Sequence, residues 1–155
     1  MRVLVLTVSD RASQGVYEDL SGPAVERVLR ELVPGIDVQR RVVPDDIARI
    51  SEALSAGPDV DAIITTGGTG IGPRDVTPEA TVACCDRLVP GIAEMLRAES
   101  GRQTPHAAFS RGVAGVKGCT LIVNVPGSVR AAEFCARLIA PMLEHACAML
   151  RGDGH

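Results

Sequence analysis

Hydrophobic positions along this chain follow two patterns: short unbroken apolar runs, and stretches where apolar residues return every three or four positions. The first pattern predicts strands buried on both faces, at Arg2–Val8, Ile36–Val43, Val60–Thr65 and Cys119–Val125. The second predicts helices. Val25, Val28, Leu29 and Leu32 recur at helical spacing after Ser21 as cap and Pro23 in the first turn, and Pro34-Gly35 stops them. Ile47, Ile50, Ala53 and Leu54 form a second helix, capped by Asp45 or Asp46 and ended by Gly57-Pro58. Thr77-Pro78-Glu79 opens a third that reaches about Asp86, and Pro90 opens a fourth carrying Ile92, Met95 and Leu96. Ser110–Val116 reads as a short helix. Ser128 caps a long terminal helix with Phe134, Leu138, Met142 and Leu143 on its apolar side, which Pro141 is expected to kink or split.

Alternation of strands and helices at this spacing predicts a single-domain α/β fold: a three-layer α/β/α sandwich with a mostly parallel sheet and right-handed crossovers. Ligands of such sheets bind outside the carboxyl ends of the strands, near the point where strand order reverses. The residues following each strand are Ser9-Asp10-Arg11, then Pro44-Asp45-Asp46, then Thr66-Gly67-Gly68-Thr69-Gly70 with Arg74 and Asp75, and finally Pro126-Gly127-Ser128 after Asn124. In a parallel sheet all four groups share one rim, which points to an anionic ligand and a hard metal ion.

Composition narrows the ligand. Tyr17, Phe109 and Phe134 are the only aromatic residues, too few for a surface built on base stacking. A formal charge of −3 removes the basic footprint of a duplex-binding protein, so no nucleic-acid partner is expected. A small anion stays compatible, because Lys117 is the only lysine among 16 basic residues and Arg forks suit phosphate and carboxylate. No apolar run is long enough to cross a membrane, and Val3–Val8 leads straight into polar residues rather than a cleavage region; a cytoplasmic location is expected. Five cysteines without a C-x-x-C pair suggest neither a disulfide framework nor a zinc site, and read as small buried hydrophobes.

The sharpest single feature is the glycine loop Gly67-Gly68-Thr69-Gly70, whose backbone N–H groups could approach a phosphate closely. No lysine follows the glycines, as a Walker A loop requires, and their spacing and position after the third strand do not match the dinucleotide fingerprint. Asp45 and Asp75 are the best catalytic candidates, as two carboxylates able to hold a Mg²⁺ that bridges a polyphosphate, although each could instead serve as a helix cap. Arg11, Arg74 and Arg111 are natural anion clamps. Ser110 and Ser128 lack an obvious base, and His106, His145 and His155 form no ligand cluster, which disfavours serine-nucleophile and zinc chemistry.

Four segments carry a resemblance to a known family. Thr7-Val8-Ser9-Asp10-Arg11, Thr65-Thr66-Gly67-Gly68-Thr69-Gly70, Arg74-Asp75-Val76-Thr77-Pro78-Glu79-Ala80-Thr81 and Val125-Pro126-Gly127-Ser128 resemble, in order and spacing, the molybdenum-cofactor biosynthesis domain, in particular its stand-alone bacterial adenylyltransferases. The resemblance implies Mg²⁺-dependent transfer of AMP from ATP to the terminal phosphate of molybdopterin, with release of pyrophosphate. It implies Asp45 and Asp75 as the essential acidic pair and Mg²⁺ ligands. Gly67, Gly68, Thr69 and Gly70 would cradle nucleotide phosphates beside Ser9, Asp10 and Arg11, and Ser110, Arg111, Gly127 and Ser128 would lie on the pterin side. It also implies a homotrimer and hand-over of the product to a molybdate-inserting enzyme. Three rivals remain: a non-catalytic molybdopterin carrier, which would not need both carboxylates; a hydrolase on a related domain; and an ATP-sensing module with Gly101–Gly118 as its lid.

Overall fold

The computed structural model describes residues 1–55 and 60–153; the expected helix stop at Gly57-Pro58 and His155 lie outside the described residues. The elements are β1 (Arg2–Val8), α1 (Asp10–Ser13), α2 (Ser21–Leu32), β2 (Asp37–Val43), α3 (Ile47–Ser55), β3 (Ala62–Thr66), α4 (Thr77–Cys84), β4 (Arg87–Leu88), α5 (Pro90–Gly101), a 3-10 turn at Pro105–Phe109, β5 (Ala114–Lys117), β6 (Thr120–Val125) and α6 (Val129–Arg151). The sheet order is β2-β1-β3-β6-β5-β4. The first four strands in that order are parallel, and β5 and β4 run antiparallel at one edge. This is the α/β sandwich that the pattern predicts.

Alternation along the parallel strands builds the layers, since successive side chains point to opposite faces. Val3, Val5, Ile64 and Val123 face α2, α5 and α6, packing with Val25, Leu29, Leu96, Ile139 and Leu143. Leu4, Leu6, Ile63 and Ile122 face α3 and α4, packing with Ile50, Ala53, Leu54 and Ala80. Both faces being covered explains why β1 reads as a continuous apolar run rather than an alternating one.

The register sets the rim. Val8 pairs with Val43, and Thr66 pairs with both Thr7 and Val125, so four strands end at one edge. Strand order reverses between β1 and β3, which places the crevice between Ser9 and the glycine loop.

Several local expectations are corrected. Ser110–Val116 is not a helix: after the 3-10 turn the chain extends, and β5 pairs with β6 from Ala114↔Val123 to Lys117↔Thr120. Gly115 makes this possible, because a Cβ there would sit 2.6 Å from Cys85 Sγ and 2.9 Å from the Arg87 carbonyl. The helix opened at Thr77 ends at Cys84, short of Asp86, since the Asp86 amide bonds the Val116 carbonyl and starts β4. Pro141 does not split the terminal helix: α6 runs unbroken for 23 residues, carried by burial of Ile139, Ala140 and Leu143 against the sheet.

Ser21 is not the α2 cap but its first residue: the N-cap is Leu20, and the carboxylate of Asp19 just before it accepts from the Gly22 amide at 3.0 Å. Only Cys135 and Cys147 are buried; Cys84 and Cys85 are half-buried and Cys119 is exposed, so the buried-hydrophobe reading fits two of the five. No helix among the described residues is long and apolar enough to cross a membrane.

Candidate active site at the carboxyl rim of the sheet

The glycine loop is fixed by sterics before chemistry. Gly67 and Gly68 have φ of +104° and +64°, a region that favours glycine. A Cβ on Gly67 would lie 2.3 Å from the Val8 carbonyl, and one on Gly127 would lie 3.1 Å from Gly67 Cα. The loops after β1, β3 and β6 therefore touch backbone to backbone. Thr66 Oγ1 donates to the Pro126 carbonyl at 2.8 Å, and Thr77 Oγ1 donates to the Gly67 carbonyl at 2.9 Å. Thr77 thus pins the loop rather than capping its helix. Behind it, Asn124 Nδ2 donates to Thr65 and Thr81, both at 2.9 Å, tying β6 to β3 and α4. Among the described residues no buried side-chain nitrogen or oxygen lacks a partner, so this polar layer is fully satisfied.

Two cavities open on either side of this ridge. The larger, about 530 Å³, has mixed walls, with Ala93, Leu96 and Phe109 beside Arg97, Ser110 and Asn124. The smaller, about 470 Å³, is lined by Thr7, Ser9, Asp19 and Asp45 among others. Gly68, Asp75, Gly127 and Ser128 line both, which makes the ridge a shared wall.

The carboxylates settle their own ambiguity. Asp46 is the cap of α3, accepting from the Arg49 amide at 2.9 Å, which leaves Asp45 free of that duty. Asp45 Oδ2 instead accepts from the Asp10 amide at 2.8 Å, and Asp75 Oδ2 accepts from the Gly72 amide at 2.8 Å. Asp75 therefore closes the turn before α4 and does not cap the helix. A Cβ at Gly70 or Gly72 would meet Asp75 Oδ2 at 2.8 or 2.9 Å, so these glycines make room for that carboxylate. Burial pushes the Asp45 carboxyl above its ordinary range; the negative charges of Asp10 and Asp75 add to the rise, against the Asp10 amide and Arg74.

The other predicted residues divide into two groups. Ser9, Gly67, Gly68, Thr69, Gly70, Ser110, Gly127 and Ser128 line one or both cavities. Ser128, which lines both cavities, makes no side-chain cap bond at the start of α6, whose first backbone amides have no partner within the helix. Asp10, Arg11, Arg74 and Arg111 are outside both linings. Asp10 is engaged by Arg74 at 2.8 Å and by the Asp45 amide at 3.0 Å, and Arg11 stacks over Tyr17 at 5.1 Å from the ring centre. Arg111 fastens the glycine loop: Nε donates to the Gly70 carbonyl at 2.7 Å, Nη2 to the Asp75 carbonyl at 2.6 Å, and Nη1 pairs with Glu79.

Sequence reading passed over Asp19 and Arg97. Asp19 Oδ2 accepts from Thr7 Oγ1 at 2.9 Å at the mouth of the smaller cavity; an Asp two residues before a helix carried that signal as a cap. Arg97 looks like any surface arginine in a helical pattern, and only the fold turns it into a cavity wall.

Fold and rim together define an α/β domain with a mostly parallel sheet that presents two carboxylates, a glycine loop and a helix N-terminus to a pair of adjoining cavities. The chain belongs to the family described as "Probable molybdopterin binding domain", whose model matches residues 4–145. A molybdopterin adenylyltransferase of Helicobacter pylori is 39% identical over 153 residues, which cover 96% of this chain and 87% of that protein. The protein of the same name from Escherichia coli K12 is 40% identical over 131 residues, covering 82% and 67%. Among solved structures, the molybdopterin biosynthesis enzyme MoaB of Thermus thermophilus superposes with a TM-score of 0.88 at 43% identity, covering 99% of this chain and 98% of that one. A molybdopterin biosynthesis protein of Mycobacterium abscessus gives 0.89 at 39% identity, covering 97% and 96%.

Proposed function

We propose that this chain is a molybdopterin adenylyltransferase, transferring AMP from ATP to the terminal phosphate of molybdopterin and releasing pyrophosphate. The observation that carries the reading is the shared wall: two cavities, each large enough for a small ligand, meet at Gly68, Asp75, Gly127 and Ser128. A reaction joining two phosphate-bearing substrates needs such a meeting place. The relatives' names give the reaction class.

Chemistry at the wall asks for alignment and charge neutralisation rather than an activated side chain. A terminal phosphate oxygen of molybdopterin attacks the α-phosphorus of ATP. The bond from that phosphorus to the bridging oxygen breaks, and pyrophosphate leaves. ATP occupies the smaller cavity, with its phosphates on the Gly67–Gly70 amides near Ser9. Molybdopterin enters the larger cavity from the side of Ser110, its phosphate toward Ser128 and the α6 N-terminus, where the helix dipole favours negative charge. Asp10 and Arg11 act from behind the rim, and Arg111 through the loop it holds.

The acidic pair fits a hard divalent ion. Each carboxylate gives one oxygen to a backbone amide, and the other has no hydrogen-bond partner among the described residues. Two carboxylate ligands completed by substrate phosphates is the coordination Mg²⁺ favours. Asp45 and Asp75 would hold that ion, which when bound neutralises charge on the transferring phosphoryl group. Residence in the cytoplasm and delivery of the product to a molybdate-inserting enzyme follow from the same reading. A homotrimeric assembly belongs to the same reading.

Asp75→Asn tests the assignment, since the amide oxygen still accepts from Gly72. The expected result is unchanged folding and molybdopterin binding, with turnover lower by roughly two to three orders of magnitude. A fall in thermal stability with little loss of turnover would make Asp75 a turn-closing residue only.

A further inference from the structure

We infer that Arg97 determines specificity for the pterin substrate by pairing with its anionic sulfur end, the ene-dithiolate; the inference rests on the function proposed above. Arg97 projects from α5 into the larger cavity, whose lining carries only one other fully charged side chain, Asp75 on the shared wall. Nη1 donates to the Gly112 carbonyl at 2.7 Å, which anchors the guanidinium while leaving its remaining N–H donors for other partners. Arg97 forms no ion pair with the described residues, among which nine of the fourteen other arginines do. A half-buried, anchored, unpaired guanidinium in a partly apolar cavity is a receptor for an anion, because its desolvation is offset only when a negative group arrives.

The chemistry of the substrate narrows that anion. Molybdopterin has two anionic parts, the phosphate and the ene-dithiolate, and its pterin ring is neutral near pH 7. The phosphate must reach Asp45, Asp75 and the glycine loop to react, on a wall formed by different elements from α5. The dithiolate is the negative group left for Arg97. Ser100, Thr104 and Ser110, which line the same cavity, supply neutral donors and acceptors for the rest of the molecule.

The test measures equilibrium binding of two probes, molybdopterin and a pterin monophosphate without sulfur, to the full chain and to Arg97→Ala and Arg97→Lys. Pterin fluorescence reports binding, and a thermal melt checks folding. Arg97→Ala should weaken molybdopterin by about 10- to 100-fold, the scale of one charge-assisted hydrogen bond, and leave the sulfur-free probe and a non-reactive ATP analogue unchanged. Arg97→Lys, which keeps the charge and loses the fork, should fall between. In turnover, KM for molybdopterin should rise while kcat at saturation holds. Equal weakening of both probes, or unchanged binding of molybdopterin, would overturn the inference while leaving the proposed function standing. Failure of the unmodified chain to bind molybdopterin would overturn both.

Discussion

Asp10 and Asp45 hold each other in place: the Asp10 amide donates to Asp45 Oδ2 at 2.8 Å, and the Asp45 amide donates to Asp10 Oδ1 at 3.0 Å. The pair joins the loop after β1 to the loop after β2, and Arg74 grips the same Asp10 carboxylate from beyond the glycine loop. The Asp10 amide thus orients the Asp45 carboxylate, while the Asp10 side chain anchors the Asp45 backbone.

Replacing Asp10 separates its two bonds. The Arg74 pair is largely exposed and contributes little to stability. Asp10→Asn retains an acceptor for the Asp45 amide and should melt close to the unmodified protein. Asp10→Ala keeps the amide bond to the Asp45 carboxylate but leaves the half-buried Asp45 amide unpaired, at a cost of about 1 kcal/mol, and should lower kcat by about tenfold as the Asp45 backbone loses its anchor. Thermal melts and kcat for both variants check this; an Asp10→Ala variant with full turnover would contradict it.

Glycine substitutions separate close approach from simple flexibility. Gly67→Ala combines a left-handed backbone with a Cβ placed on the Val8 carbonyl, and should cost at least about 2 kcal/mol. Gly91→Ala, in the first turn of α5 with nothing within 4 Å, should be neutral or slightly stabilising. Denaturant unfolding of the two variants gives the comparison directly.

Ionisation of Asp45 opposes folding. Burial raises its carboxyl in the folded state above the ordinary aspartate range, so the folded protein holds the proton more tightly than the unfolded chain. Its relative stabilisation is complete below about pH 3.8 and is lost as pH rises through the folded value. Asp45→Asn should therefore raise the melting temperature at pH 7 and abolish turnover. The stability gain should shrink as pH falls toward 4. A gain independent of pH would mean that the effect is packing and not charge.

Arg111 connects two carbonyls across the turn that bears Asp75, a geometry only a planar fork can satisfy. Arg111→Lys should lower kcat by about 10- to 100-fold through displacement of that turn, and KM for ATP should change little. Steady-state kinetics read the split; full kcat in the lysine variant would show that charge alone suffices.

The sequence was most legible where one physical effect dominates. Burial on both faces makes β1 unmistakable, and the glycine loop stands out because its backbone tolerates no Cβ. Ambiguity at Asp45 and Asp46 could not be resolved locally, since either residue can cap α3; the choice is made by the Asp10 amide, 35 positions away in sequence. β4 and β5 are illegible because a two-residue strand and Ala114-Gly115-Val116-Lys117 carry no period of their own: β5 is a strand only through pairing with β6, and β4 only through pairing with β5. The role of Arg111 was hidden for a similar reason: an arginine reads as an anion clamp until the fold supplies carbonyls for it.

The central claim is a covalent transfer between two adjoining cavities. Incubation of the full chain with molybdopterin, Mg²⁺ and ATP labelled at the α-phosphorus tests it most directly. The account predicts that label appears in a pterin product whose mass has increased by one adenylyl group, with an equal amount of unlabelled pyrophosphate, and that Asp75→Asn forms it roughly two to three orders of magnitude more slowly. Molybdopterin bound tightly with no label transferred would contradict the account and identify the protein as a carrier.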